Sequence, residues 1–229
     1  MKKTVTLITV LAGAVSGYSQ GIVSFSDYNG AQQQQVFNTQ ANPVTGATLT
    51  SVTFGGYTVN EYVGSTANAA ELPSGSAVFA GAGLSGTQFD AQLLAAAGTG
   101  LPISSLVAQG SILHFYTTAA LLGFVKGTAA VTLTSGAVPT TIAFAAWTVN
   151  SAGVAGAATT LAMAQADEQA GDAGYAWGVS TTQTVTPNTS LPLALTGGME
   201  GFSLGTVPEP STIALGVMGA SALLFRRRK

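Results

Sequence analysis

The chain has 229 residues and no cysteine, which excludes disulfides, zinc–thiolate sites and a thiol nucleophile. Only 7% of its residues are charged, and six of the seven Lys and Arg residues lie at the two ends, which leaves Lys126 against eight carboxylates in residues 20–206. This acidic middle part cannot neutralise a row of phosphates, so nucleic-acid binding is excluded.

The N-terminal residues have the three parts of a signal peptide. Two lysines form a positively charged start, residues 5–15 form an apolar core, and Gly17 and Ser19 are the small residues of a cleavage site. The apolar core is shorter than the about 20 residues of a membrane-spanning helix, so an N-terminal anchor is the less favoured alternative. The sequence predicts a signal peptide over 1–19, export through the Sec pathway, and cleavage between Ser19 and Gln20.

Residues 20–206 alternate between apolar and polar positions in the manner of β-strands. Gly55-Gly56, between two alternating segments, predicts a hairpin turn or a bulge. Strands at this spacing, separated by Gly, Pro and Asn turns, are typical of a sandwich. We therefore predict an all-β fold over 20–206, a single β-sandwich-like domain of jelly-roll or immunoglobulin-like type. The predicted strands are residues 22–25, 48–59, 77–80, 89–94, 111–118, 129–134, 140–149, 175–180 and 201–204.

One alanine-rich segment departs from the β pattern and predicts a short helix near residues 157–170. Asp167, Glu168 and Asp172 form an acidic cluster at its end. Clusters of carboxylate oxygens can bind Ca²⁺, but this spacing is not that of an EF-hand loop. A solvated face is the favoured interpretation, and we predict neither a metal nor a cofactor.

His114 is the only histidine of the chain. Its position between Leu113 and Phe115 in a predicted strand favours a packed or strand-edge residue over a catalytic base. A Ser-His-Asp hydrolase is the alternative, but the sequence has no Gly-x-Ser-x-Gly motif to supply the nucleophile. We expect that the protein is not an enzyme.

Three aromatic residues of the second half, Trp147, Tyr175 and Trp177, have two interpretations. Exposed on one sheet face, they would form a platform on which sugar rings stack, as in a carbohydrate-binding or adhesive module. Their apolar neighbours favour burial in the core instead. Asn188-Thr189-Ser190 matches a glycosylation sequon, a pattern that is common by chance.

The C-terminal tail, residues 207–229, contains three features in order. Pro208-Glu209-Pro210 stays extended, because proline fixes its own φ and restricts its neighbour. The uncharged segment 212–225 would span about 21 Å as a helix, short of a stable bilayer crossing. The basic end holds the chain on the cytoplasmic side. Its residues are Arg226, Arg227, Arg228 and Lys229.

This tail resembles the PEP-CTERM sorting signal, from Val207-Pro208-Glu209-Pro210-Ser211-Thr212 to the basic end. The resemblance implies export and processing by an exosortase, a membrane-embedded cysteine transpeptidase-like enzyme. It further implies that Pro208, Glu209 and Pro210 are the recognition element, that 212–225 is a transient transmembrane helix, and that the final cations are a retention charge. It implies no catalytic activity for residues 20–206. We therefore expect a cell-surface or extracellular-matrix structural protein, with biofilm exopolysaccharide as a candidate partner.

Overall fold

The structure, a computed structural model, describes the part of the chain between the two predicted targeting segments. Residues 1–19 and 207–229 therefore lie outside it. The described residues are 21–25, 35–40, 46–64, 79, 83–125, 129–133, 138–149, 157–172, 174–188, 193–194 and 199–205.

The described residues are predominantly β, as the alternation predicted. The single α-helix among them, α1, spans Leu161–Gln169, and three short 3₁₀ turns span Gly86–Gln88, Ile103–Ser105 and Ala119–Leu121. The strands are β1 (Gly21–Phe25), β2 (Val36–Phe37), β3 (Ala47–Phe54), β4 (Tyr57–Gly64), β5 (Phe89–Ala97), β6 (Val107–His114), β7 (Ala129–Leu133), β8 (Thr140–Thr148), β9 (Trp177–Val179), β10 (Gln183–Val185), β11 (Leu193–Ala194) and β12 (Gly201–Ser203).

A five-stranded sheet forms the centre of the fold. Its strands follow the order β10-β8-β5-β6, and β9 also pairs with β8. β5 and β8 pair antiparallel over nine residues, from Phe89 opposite Thr148 to Ala97 opposite Thr140. Every residue of β8 is buried, so other elements cover both faces of this strand.

The alternation of β8 divides the core into two hydrophobic clusters. Ile142 and Phe144 point into the first cluster, with residues of β1, β5, β7 and β12. Ala145 and Trp147 point into the second, with residues of β3, β4, β9 and α1. Successive side chains of a strand leave on opposite faces, which is why one strand supplies both clusters.

A four-stranded sheet, in the order β2-β12-β4-β3, contains the hairpin that the sequence predicted. β3 and β4 pair in unbroken register from Ala47 opposite Gly64 to Phe54 opposite Tyr57. Gly55 and Gly56 connect them with φ values of 62° and 87°. Two consecutive left-handed residues are the geometry of a type I′ hairpin turn, which favours glycine. Of the two interpretations of Gly55-Gly56, the hairpin turn is therefore confirmed and the bulge is not.

A three-stranded sheet, in the order β11-β1-β7, is the remaining sheet of the described residues. β1 pairs antiparallel with β7 and parallel with β11. Jelly-roll or immunoglobulin-like topology within this arrangement of three sheets remains a prediction.

The predicted helix is present but shorter than expected, at Leu161–Gln169. It begins at Thr160, whose side chain accepts a hydrogen bond from the backbone N–H of Met163. Threonine in this position satisfies one of the free N–H groups of the first turn. None of the helices in the described residues is long and apolar enough to span a bilayer. The predicted transmembrane segment 212–225 lies outside those residues.

Two predicted strands differ from the structure. The strand expected at 111–118 is β6, which begins and ends four residues earlier, at Val107–His114. Its pairing with β5 shifts register between Ala91 and Leu93, and Gly110 there has a φ of 69°, which is a bulge that the sequence analysis did not predict. Of the strand expected at 77–80, the structure describes Phe79 alone. Phe79 lies outside any strand, and its ring stacks on that of Phe37.

Candidate functional site

His114 and Asp90 form a hydrogen-bonded pair on the central sheet. They are cross-strand partners on β6 and β5, and His114 Nδ1 lies 2.5 Å from Asp90 Oδ1. The carboxylate side chain is 7% exposed and the imidazole 52% exposed. An Nδ1–H that donates to the carboxylate leaves Nε2 as the nitrogen that can accept a proton. Sequence analysis found His114 and missed its partner, because cross-strand pairing joins residues 24 positions apart.

The environment of Asp90 changes its proton affinity. Burial raises the pKa of this carboxyl above its ordinary value, and the hydrogen bond and charge of His114 oppose that increase in pKa. The carboxylate therefore orients the imidazole from a partly desolvated position.

A cavity of about 580 Å³ adjoins this pair. Its polar lining includes the side chains of Asn38, Ser85, Thr87 and Thr117, together with His114. In the part of the chain that the structure describes, His114 makes no hydrogen bond to a serine or threonine hydroxyl. The arrangement thus provides the carboxylate and imidazole of a Ser-His-Asp triad without a positioned nucleophile.

Glu61 is the second unusual carboxyl group, and sequence analysis missed it. It lies on β4 with no exposed surface, and its Oε2 accepts a hydrogen bond of 2.9 Å from the backbone N–H of Val179 on β9. Oε1 has no hydrogen-bond partner among the described residues. Burial raises the pKa of Glu61 well above its ordinary value, and the Val179 hydrogen bond lowers it by less. Glu61 therefore stays protonated and uncharged up to a higher pH than an exposed glutamate does.

Glu61 also lines a cavity of about 350 Å³ between β3, β4 and the segment after β9. The other polar residues that line it are Thr48, Thr50, Ser180, Thr181 and Glu200. A signal for this buried acid exists in the sequence: Val59, Glu61 and Val63 alternate on one face of β4, which places the carboxyl among inward-facing residues.

The three aromatic residues lie in the core. Trp147 and Trp177 have no exposed surface, and Tyr175 is 5% exposed. Trp147 Nε1 donates a 2.9 Å hydrogen bond to the backbone carbonyl of Ala158. These side chains therefore do not form an exposed platform for sugar rings, and the core interpretation is confirmed.

The acidic cluster lies at the end of α1. Asp167 and Glu168 are half-buried and Asp172 is exposed. In the described ranges, no group of three or more His, Asp or Glu side chains is arranged to hold a metal ion. In the sequon, the exposed Asn188 accepts a backbone hydrogen bond of 2.7 Å from Ile22, while Thr189 and Ser190 lie outside the described residues.

The predicted sorting residues also lie outside the described residues: Ser19 and Gln20 at one end, and Pro208, Glu209 and Pro210 with the final cations at the other. Between these two ends, the described residues form a β-rich body with one short α-helix.

Residues 206–229 match the family model of the PEP-CTERM protein-sorting motif. The resemblance of the tail to this sorting signal is thereby confirmed. The motif indicates a secreted protein that an exosortase sorts to the cell envelope. Neither the curated proteins nor the solved structures contain a significant match to the chain.

Proposed function

We propose that this chain is a structural protein of the cell surface or extracellular matrix, delivered by two removable targeting segments. The signal peptide over 1–19 directs export, and the tail over 207–229 holds the protein at the membrane until an exosortase processes it. Residues 20–206 are the delivered body. The observation that carries this proposal is the PEP-CTERM match at 206–229.

The body supports a structural role through its surface chemistry. Within the described residues the exposed side chains are largely hydroxyl, amide and small ones, and charged residues make up only 7% of the chain. A low density of charge offers little repulsion against close packing with neighbouring molecules or with uncharged polysaccharide. Its candidate chemical group, the Asp90–His114 pair, has no positioned nucleophile within the described residues. We propose a non-enzymatic role for the body.

Within the tail, each feature has a separate task. The stiff Pro208-Glu209-Pro210 segment presents an extended backbone to the processing enzyme. The apolar segment 212–225 enters the bilayer but is too short for permanent anchoring. The final cations prevent translocation of the C-terminus.

The test replaces Pro208, Glu209 and Pro210 with alanine in the source organism. We expect the variant to stay in the membrane fraction with its tail uncut, as read from fractionation and intact mass. The matched control is P102A/P139A, which removes two exposed prolines of the body and leaves the tail unchanged. Normal release of the triple-alanine variant, at the rate of the control, would contradict the sorting role.

A further inference from the structure

The outer edge of β3 carries unpaired backbone groups. β3 ends the sheet order β2-β12-β4-β3, and the two-residue turn makes Phe54 and Tyr57 a hydrogen-bonded pair. Hydrogen-bonded and non-hydrogen-bonded residue pairs alternate along an antiparallel ladder. Leu49, Ser51 and Thr53 are therefore in non-hydrogen-bonded pairs, and their N–H and C=O groups point away from β4. In the described part of the chain, no backbone group pairs with this edge.

Among the described residues, three other edge strands carry protective features that β3 lacks. β6 is interrupted by the bulge at Gly110, while β2 and β10 have two and three residues. Bulges and short strands are the usual devices against edge-to-edge pairing. β3 instead has eight residues in unbroken register with β4.

The sequence of β3 favours further pairing. The strand reads ATLTSVTF, with no charged residue, no proline and no glycine. Such uncharged segments rich in β-branched residues are those that add to another strand. Leu49 on its outer face is 56% exposed, a large apolar side chain beside the open edge.

The lack of exposed charge on the hairpin fits a second copy of the chain as the occupant of this edge. Two acidic bodies repel each other wherever their carboxylates meet. The hairpin 47–64 adds no such repulsion, because Glu61 is its single acidic or basic residue and is fully buried. Two hairpins can therefore approach without bringing exposed charges together.

We propose that β3 pairs antiparallel with β3 of a second copy, across a two-fold axis at Ser51. In this register Ser51 faces Ser51 of the other copy, and Leu49 of each copy faces Thr53 of the other. Three reciprocal residue pairs form about six new backbone hydrogen bonds. The two four-stranded sheets become one continuous sheet, and the symmetric use of a single edge closes the assembly as a dimer.

This inference goes beyond sorting, because it assigns an assembly surface to the delivered body. It is tested in vitro on the full uncleaved chain in a non-ionic detergent, so its failure is distinguishable from a failure of sorting. The tail is identical in all variants, and any association through the tail is the same in each.

The test compares two double variants that differ at one residue. L49K/T53E places opposite charges in facing positions of the proposed register, whereas L49K/T53K places like charges there. Both substitutions are at exposed positions, and both variants lose the hydrogen bond between the Thr53 and Thr58 hydroxyls. We expect L49K/T53E to dimerise about tenfold or more tightly than L49K/T53K at low salt, by sedimentation equilibrium.

Hydrogen exchange gives a second readout that is specific to the edge. Dimerisation of the unmodified chain should slow exchange of the Leu49, Ser51 and Thr53 amides as protein concentration rises. The amides of Thr50 and Val52 already point toward β4 and serve as internal controls. Exchange at the three outward amides that does not depend on concentration, or equal association constants for the two double variants, would overturn the proposal.

Discussion

The carboxyl group of Glu61 accepts a 2.9 Å hydrogen bond from the backbone N–H of Val179, and this contact joins β4 of the four-stranded sheet to β9 of the central sheet. Both residues are buried. The group that links the two sheets is thus titratable, so the packing between the sheets depends on pH.

Stability should fall as pH rises. Because the folded-state pKa of Glu61 lies well above 4.5, the folded chain keeps a proton that the unfolded chain releases. Below the unfolded-state pKa this group adds no pH dependence, and from about pH 4.5 upward the free energy of unfolding decreases until the folded-state pKa is passed. Urea unfolding at several pH values, followed by the fluorescence of the buried tryptophans, measures this slope.

The substitution E61Q isolates the contribution of Glu61 to that slope. Glutamine keeps the shape and the acceptor for Val179 but cannot titrate, so the decrease should flatten. Asp90 also has a raised pKa, so its contribution has the same sign and remains in this variant. D90N is the control and should keep the larger part of the slope. An E61Q slope equal to that of the parent, or stability that rises with pH, would contradict the burial of a neutral Glu61.

Gly178 provides a steric test of the same junction. A Cβ atom there would lie 2.6 Å from Glu61 Oε2 and 3.0 Å from the ring of Phe202. We expect G178A to lower the free energy of unfolding by about 1–3 kcal/mol, as overpacking does. In an E61A background, the decrease in the free energy of unfolding caused by G178A should be smaller by about 1 kcal/mol or more, because the closest clash is then removed. Additive effects in the double-mutant cycle would show that the two residues are not in contact.

The two tryptophans form a matched pair for testing the core. Trp147 donates a hydrogen bond to Ala158, whereas Trp177 Nε1 has no partner among the described residues. W147F leaves a carbonyl without its donor, while W177F removes a buried, unpaired N–H. We expect W147F to be more destabilising by about 1 kcal/mol or more in urea unfolding. Equal losses would argue against a stabilising role of the Trp147 hydrogen bond in the core.

Local chemistry made part of the fold predictable from the sequence. Gly55-Gly56 is predictable because a type I′ turn needs two left-handed residues, and α1 is predictable from its alanine content. The helix is shorter than the predicted 157–170, and its first turn is capped by Thr160.

Long-range pairing made the rest unpredictable. The Asp90–His114 hydrogen bond depends on which strands are neighbours, and no local pattern specifies that β5 lies between β6 and β8. The bulge at Gly110 likewise depends on the register between β6 and β5, which the sequence of β6 alone does not specify. Glu61 was closer to prediction, since its alternation with Val59 and Val63 already indicated an inward position.

The measurement that tests the central claim most directly is the intact mass and N-terminal sequence of the protein isolated from its native envelope or medium. The account predicts a chain that begins at Gln20 and has lost the basic end at Arg226–Lys229, as the PEP-CTERM match at 206–229 leads us to expect. A native protein that still runs from Met1 to Lys229 would contradict it.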